Sequence, residues 1–194
     1  MKGFCESILR KPFLFLDKTF LMRALILLFA LISFTGNAQD FPQDWVGTFK
    51  GEMLIANLGR PTDTIPVDFE MLTIEEDSIW SYKMTFYPEK YGTIVKDYKI
   101  VVKSKDDKQN YLFDENNGIV MEITLMDGTF YGMYEVMDMI YISTMKYMDG
   151  NIYCDLFAAP MADPMVTGTE GEDSIEAKSY APSLHQTALF IRQK

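Results

Sequence analysis

Few side chains in this sequence could do chemistry. His185 is the only histidine in a chain of 194 residues, so a Ser-His-Asp or Cys-His enzyme would have to use it as its base. The two cysteines are Cys5 and Cys154. Cys154 alternates with Ile152 and Leu156 in an apolar segment, the setting of a buried small hydrophobe, with a reactive thiol as the alternative. No Gly-x-Ser-x-Gly elbow occurs. One histidine and two cysteines are too few for a Cys/His zinc site. The expectation is a protein that is not an enzyme.

Carboxylates are plentiful, at Glu75-Glu76-Asp77, Asp106-Asp107, Asp114-Glu115 and Glu170 to Asp173, and all fall in turns or loops. The run Asp114-Glu115-Asn116-Asn117-Gly118 has some character of a calcium loop, but it lacks that motif's spacing to Gly and its closing Glu. A solvated hairpin is the default there, with structural calcium as the alternative. A carboxylate-pair hydrolase would draw its two groups from different strands, whose separation no sequence reports.

The positive signal is apolar. From Ile79 to Tyr87, Trp80, Tyr82, Met84 and Phe86 share one face, with Ser81, Lys83 and Thr85 on the other. Such a face is either packed core or the wall of a ligand cavity. The expected ligand-binding set joins these four to Phe49 and Tyr98. Fourteen methionines, among them Met121, Met133, Met139 and Met145 in strand-like segments, supply thioethers that adapt to irregular space or to varied ligands.

The elements that must position these residues are strands. The opening segment runs from Trp45 to Ile55, with Trp45, Gly47, Phe49, Gly51, Met53 and Ile55 on one side. Glycines at alternate positions leave holes in that apolar face, marking a bend or the close approach of another backbone or a ligand. Further alternating segments are expected at 65–73, 79–87, 93–103, 111–113, 119–126, 129–136, 139–147, 151–158 and 185–192. Asp127-Gly128 and Asp149-Gly150 are two-residue hairpin signals, so their flanking strands are antiparallel neighbours. Between 159 and 183 the alternation lapses into Pro, Gly, Thr, Glu and Asp, as in a long disordered connection or a functional lid.

Residues 1–38 read as a leader. Ala24 to Phe34 is an apolar run preceded by Arg23 and followed by Thr35-Gly36-Asn37-Ala38, which is the pattern of a secretory signal peptide cleaved after Ala38. Met22-Arg23 would make a compact start and suggests that translation begins at Met22. The expectation is therefore an exported protein, periplasmic or extracellular, with no membrane span after cleavage and one domain at 39–194. The chain carries a net charge of −10; without the five basic and two acidic residues of the leader, 13 basic residues face 26 acidic ones, about −13. That balance argues against nucleic acid or an anionic membrane as partner. With Cys5 in the leader, no internal disulfide is available to the domain.

About ten strands without a confident long helix predict an all-β fold, a single antiparallel up-and-down barrel of about 8–10 strands, with a β-sandwich as the alternative. Closure makes the first and last strands neighbours and brings Arg192 within reach of Trp45. A Trp at the start of the first strand covered by an Arg from the last resembles the signature of the calycin superfamily, which includes lipocalins and fatty-acid-binding proteins. The lipocalin pattern is Gly-x-Trp, where this chain has Trp45-Val46-Gly47. Val46-Gly47-Thr48-Phe49-Lys50-Gly51-Glu52-Met53 is similar to the opening strand of the ten-stranded nitrobindin-like barrels, keeping both central glycines but with Phe for Trp and Met for the last Gly. In nitrobindins a His near the C-terminal end holds haem iron, so the resemblance would give His185 that role; an exposed or hydrogen-bonded His is the simpler expectation. No cofactor is otherwise identified. The resemblance implies a lipocalin-like barrel with a small hydrophobic ligand in its interior. The alternative is a packed, ligand-free barrel serving as an envelope or secreted accessory protein.

Overall fold

The computed structural model describes residues 41–171 and 173–194; the leader at 1–38, with its start at Met22 and its cleavage after Ala38, lies outside them. Among the described residues no segment is helical, and no helix is long and apolar enough to cross a membrane. The strands are β1 (Gly47–Asn57), β2 (Asp63–Met71), β3 (Thr73–Glu75), β4 (Ile79–Phe86), β5 (Ile94–Ser104), β6 (Asp107–Asp114), β7 (Val120–Met126), β8 (Thr129–Val136), β9 (Met139–Met148), β10 (Asn151–Pro160), β11 (Met165–Gly168), β12 (Glu176–Ser179) and β13 (Leu184–Arg192).

From β4 to β10 each strand pairs antiparallel with the next; β10 pairs with β13, β13 with β1 and β1 with β2. The ladder between β2 and β4, from Val67 opposite Phe86 to Glu70 opposite Lys83, closes the sheet on itself. The result is a closed ten-strand antiparallel barrel. The short β3 continues the line of β2 past Leu72, whose carbonyl accepts the Ser81 N–H at 2.8 Å and whose own N–H is taken by the Ser81 hydroxyl. Pro66 cannot donate from its nitrogen, and it sits where the β4 ladder ends, its carbonyl accepting the Tyr87 N–H at 3.0 Å.

The hairpins follow from turn chemistry. Asp127 and Gly128, and Asp149 and Gly150, hold positive φ at both central positions, the twist that a two-residue antiparallel turn requires. Met137 and Asp138 take the same conformation without a glycine. Between β10 and β13, where a disordered connection or a lid is expected over 159–183, the described residues include ordered strands. Ala159 and Pro160 finish β10, and β11 and β12 pair as a two-stranded hairpin. All eight residues of those two strands are exposed, so no burial periodicity marked them in the sequence.

Strand parity puts the apolar face inside. Along β1, Phe49, Gly51, Met53 and Ile55 face Arg192, Phe190, Ala188 and Gln186 of β13. At one end the barrel is plugged by rings: Phe41 meets Trp45, Trp80, Tyr111 and Phe130 edge to face with centroids 4.8–5.9 Å apart. Each such ring pair adds about 0.5–1.5 kcal/mol beyond burial. That end holds fully buried Trp45 and Phe49. The opposite end carries the connections after β1, β4, β6, β8 and β10, and there the interior is not filled.

Candidate functional site

The interior toward the unplugged end is a cavity of about 410 Å³, open at one side. One wall, from β4, β5 and β6, is aromatic: Tyr82 and Tyr98 stack with centroids 6.4 Å apart, and Phe113 meets both edge-on at 4.8 and 5.3 Å. The facing wall, from β8, β9 and β10, is built of small side chains, with Gly132, Ser143 and Cys154 all lining the space. Parity explains the hollow, because Gly132 pairs with Ser143 and both stand at inward positions where large residues would meet across the barrel. Thioethers of Met53, Met84, Met121 and Met145 fill the corners.

Deep in the lumen, burial holds Tyr82, Tyr134 and Cys154 in their neutral forms. Burial pushes the Tyr82 hydroxyl well above its usual range, and the neighbouring Cys154, Tyr134 and Tyr98 add to this. Tyr134 is raised, first by burial and then by the Glu115 carboxylate. Burial, helped by Asp155, lifts the Cys154 thiol to about 12, so it is a neutral thiol and a poor nucleophile. The lumen thus offers an apolar surface with a few neutral hydrogen-bonding groups, the composition that holds an apolar molecule and orients it.

Of the sequence-predicted site residues, Tyr82, Met84, Phe86 and Tyr98 line the cavity. Phe49 and Trp80 do not, and here the expectation is corrected. Both share the inward face, but they lie toward the plugged end, where Phe49 packs on Phe69 and Trp80 on Phe41. His185, given a haem-ligand role only by the resemblance, does not line this space. It sits at an outward position of β13, its Nε2 2.9 Å from Asp155 Oδ1 and its ring stacked flat on Phe157 at 4.4 Å. Sequence reasoning missed the rim residues Pro88, Tyr91, Lys96 and Glu115. Lys96 could have been found, because it continues the inward parity of Tyr98, Ile100 and Val102 back toward the strand's start.

No protein-family model matches the chain, and no curated protein matches it in sequence. Among solved structures it is similar to the S-type phycobiliprotein lyase CPES from Guillardia theta, with 10% identity, a TM-score of 0.54, and coverage of 78% of this chain and 90% of that one. It is also similar to a protein of unknown function from the DUF3598 family of Nostoc punctiforme PCC 73102, with 12% identity, a TM-score of 0.52 and 78% of this chain covered. The match spans 48% of that longer chain, about half its length. At these identities the likeness is one of fold alone, that of a closed antiparallel β-barrel.

Proposed function

We propose that this is an exported binding protein that holds a small apolar molecule in the lumen of its barrel, outside the cytoplasm. The observation that carries the reading is the cavity of about 410 Å³, which falls in the range of roughly 300–1,000 Å³ common to ligand pockets. Its aromatic and thioether lining suits an apolar guest. The ligand-free alternative requires a filled interior, and the cavity counts against it. Export rests on the signal-peptide pattern at 24–38, and the acidic balance favours a partner other than nucleic acid. Binding without catalysis is supported by the neutral Cys154 thiol, a poor nucleophile, and by the outward placement of His185. The solved neighbour from Guillardia theta is by its name a phycobiliprotein lyase.

Native mass spectrometry of residues 39–194 purified from an exporting host, set against the same sample denatured, tests the proposal. The expected result is a mass excess that disappears on denaturation and identifies the guest. No excess, even after incubation with haem and with fatty acids, would overturn it.

A further inference from the structure

We infer that the guest is an amphiphile with a single negative charge, its apolar body in the lumen and its anionic head at the rim against Lys96; this rests on the binding reading above. Lys96 is the only basic side chain lining the cavity among the described residues. It stands opposite Met84 on the inward face, between Ile94 and Tyr98, with Nζ 5.8 Å from the centroid of the Tyr98 ring. An inward position otherwise occupied by apolar side chains has here been given to a cation.

Within the barrel that cation meets an aromatic face but no carboxylate of the described residues. The ion pairs among the described residues join Lys50 to Asp68, Lys103 to Glu122, Lys178 to Glu176 and His185 to Asp155, and Lys96 takes part in none. In a chain with 28 acidic and 18 basic residues, a lysine left without a carboxylate is available to one brought by a ligand. Glu115 borders the same rim but does not pair with Lys96; its carboxylate accepts the Asn117 amide at 3.0 Å. A head with two negative charges would meet Glu115 as well as Lys96, so the rim favours a monoanion.

The head cannot be placed deeper at comparable cost. Beyond the rim the lumen presents neutral phenols, a neutral thiol and Ser143, with no cation to offset the desolvation of an anion. The apolar end therefore enters first, and the charged end stays where water and Lys96 both reach it.

The test is displacement of the neutral dye N-phenyl-1-naphthylamine by dodecanoate and by dodecanol, at low ionic strength, from the wild type, Lys96→Met and Lys96→Arg. Lys96→Met is expected to weaken dodecanoate about fivefold, the scale of one exposed charge pair, while dodecanol binds as before and Lys96→Arg restores the carboxylate. If both compounds bind and Lys96→Met leaves dodecanoate unchanged, this inference fails and the cavity reading stands. If the wild type binds neither compound nor the dye, the cavity reading falls and takes this inference with it.

Discussion

Arg192, near the end of the last strand, donates from Nη1 to the backbone carbonyl of Val46 at 2.9 Å, tying the two ends of the barrel sequence across 146 positions. Its Nη2 donates to the Asp44 carbonyl, and its guanidinium lies 4.6 Å from the centroid of the Phe49 ring. The segment so fastened carries Trp45, which is fully buried in the ring cluster that plugs the closed end. Charge-assisted hydrogen bonds of this kind stabilise by about 1.5–3 kcal/mol each when they replace a solvated state. Arg192→Met is expected to destabilise the barrel by about 3 kcal/mol, read as a lower urea midpoint in tryptophan fluorescence. Arg192→Lys should recover less than half of the loss, because a single ammonium lacks the fork that reaches both carbonyls.

Two glycines inside the barrel look alike in sequence and should behave differently. A Cβ at Gly51 would overlap the backbone carbonyl oxygen of Leu189 on β13, which can move only by parting the first and last strands. Gly51→Ala should therefore cost about 3 kcal/mol. A Cβ at Gly132 would meet the Ser143 hydroxyl at 2.7 Å, a side chain that can rotate away. Gly132→Ala should leave the urea midpoint nearly unchanged, yet it narrows the lumen and should weaken binding of the dye. Equal destabilisation by both substitutions would refute this account.

The contrast shows how far parity carries a sequence argument. Alternation alone located the inward faces, and the hole at Gly51 announced a close backbone, that of Leu189, whereas at Gly47 the close neighbour is the Arg192 side chain. Depth along the barrel axis was not legible. Phe49 and Trp80 share a face with Tyr82 and Met84, but the first two stand near the plugged end of their strands and the others face the cavity. Stagger is fixed by pairings such as Val67 with Phe86, which depend on closure and leave no trace in local composition. For His185 only the family resemblance spoke of haem, whereas its own parity with Phe157 puts it on the outer wall. The hairpin of β11 and β12 was missed because neither strand buries anything.

Met137 offers a stabilising change. It is the first central residue of the turn between β8 and β9, at φ 52°, and its side chain is 89% exposed. A left-handed backbone costs an ordinary L-residue about 1–2 kcal/mol, and asparagine tolerates it best after glycine. No burial is lost by removing this side chain. Met137→Asn is thus expected to raise stability by about 1 kcal/mol, seen as a higher thermal midpoint with unchanged dye binding.

The Cys154 thiol gives the barrel a built-in response to alkali. Burial raises it from 9.0 to about 12, so below about pH 9 the folded and unfolded chains both carry the neutral thiol and its contribution to stability is intact. Between about pH 9 and 12 the unfolded chain ionises while the folded one does not, and stability falls as pH rises. Tyr82 and Tyr134, both raised above 10.0, extend the same trend to higher pH. The urea midpoint should be level from pH 7 to about 8.5 and decline above about 9; in Cys154→Ala the decline should start closer to 10, where the tyrosines take over. At pH 8 iodoacetamide should label Cys154 only as fast as the barrel opens, since the neutral, lumen-facing thiol is a weak nucleophile. Rapid labelling of the folded protein, or a decline in Cys154→Ala that begins where the wild type's does, would show that the thiol is not held neutral by burial.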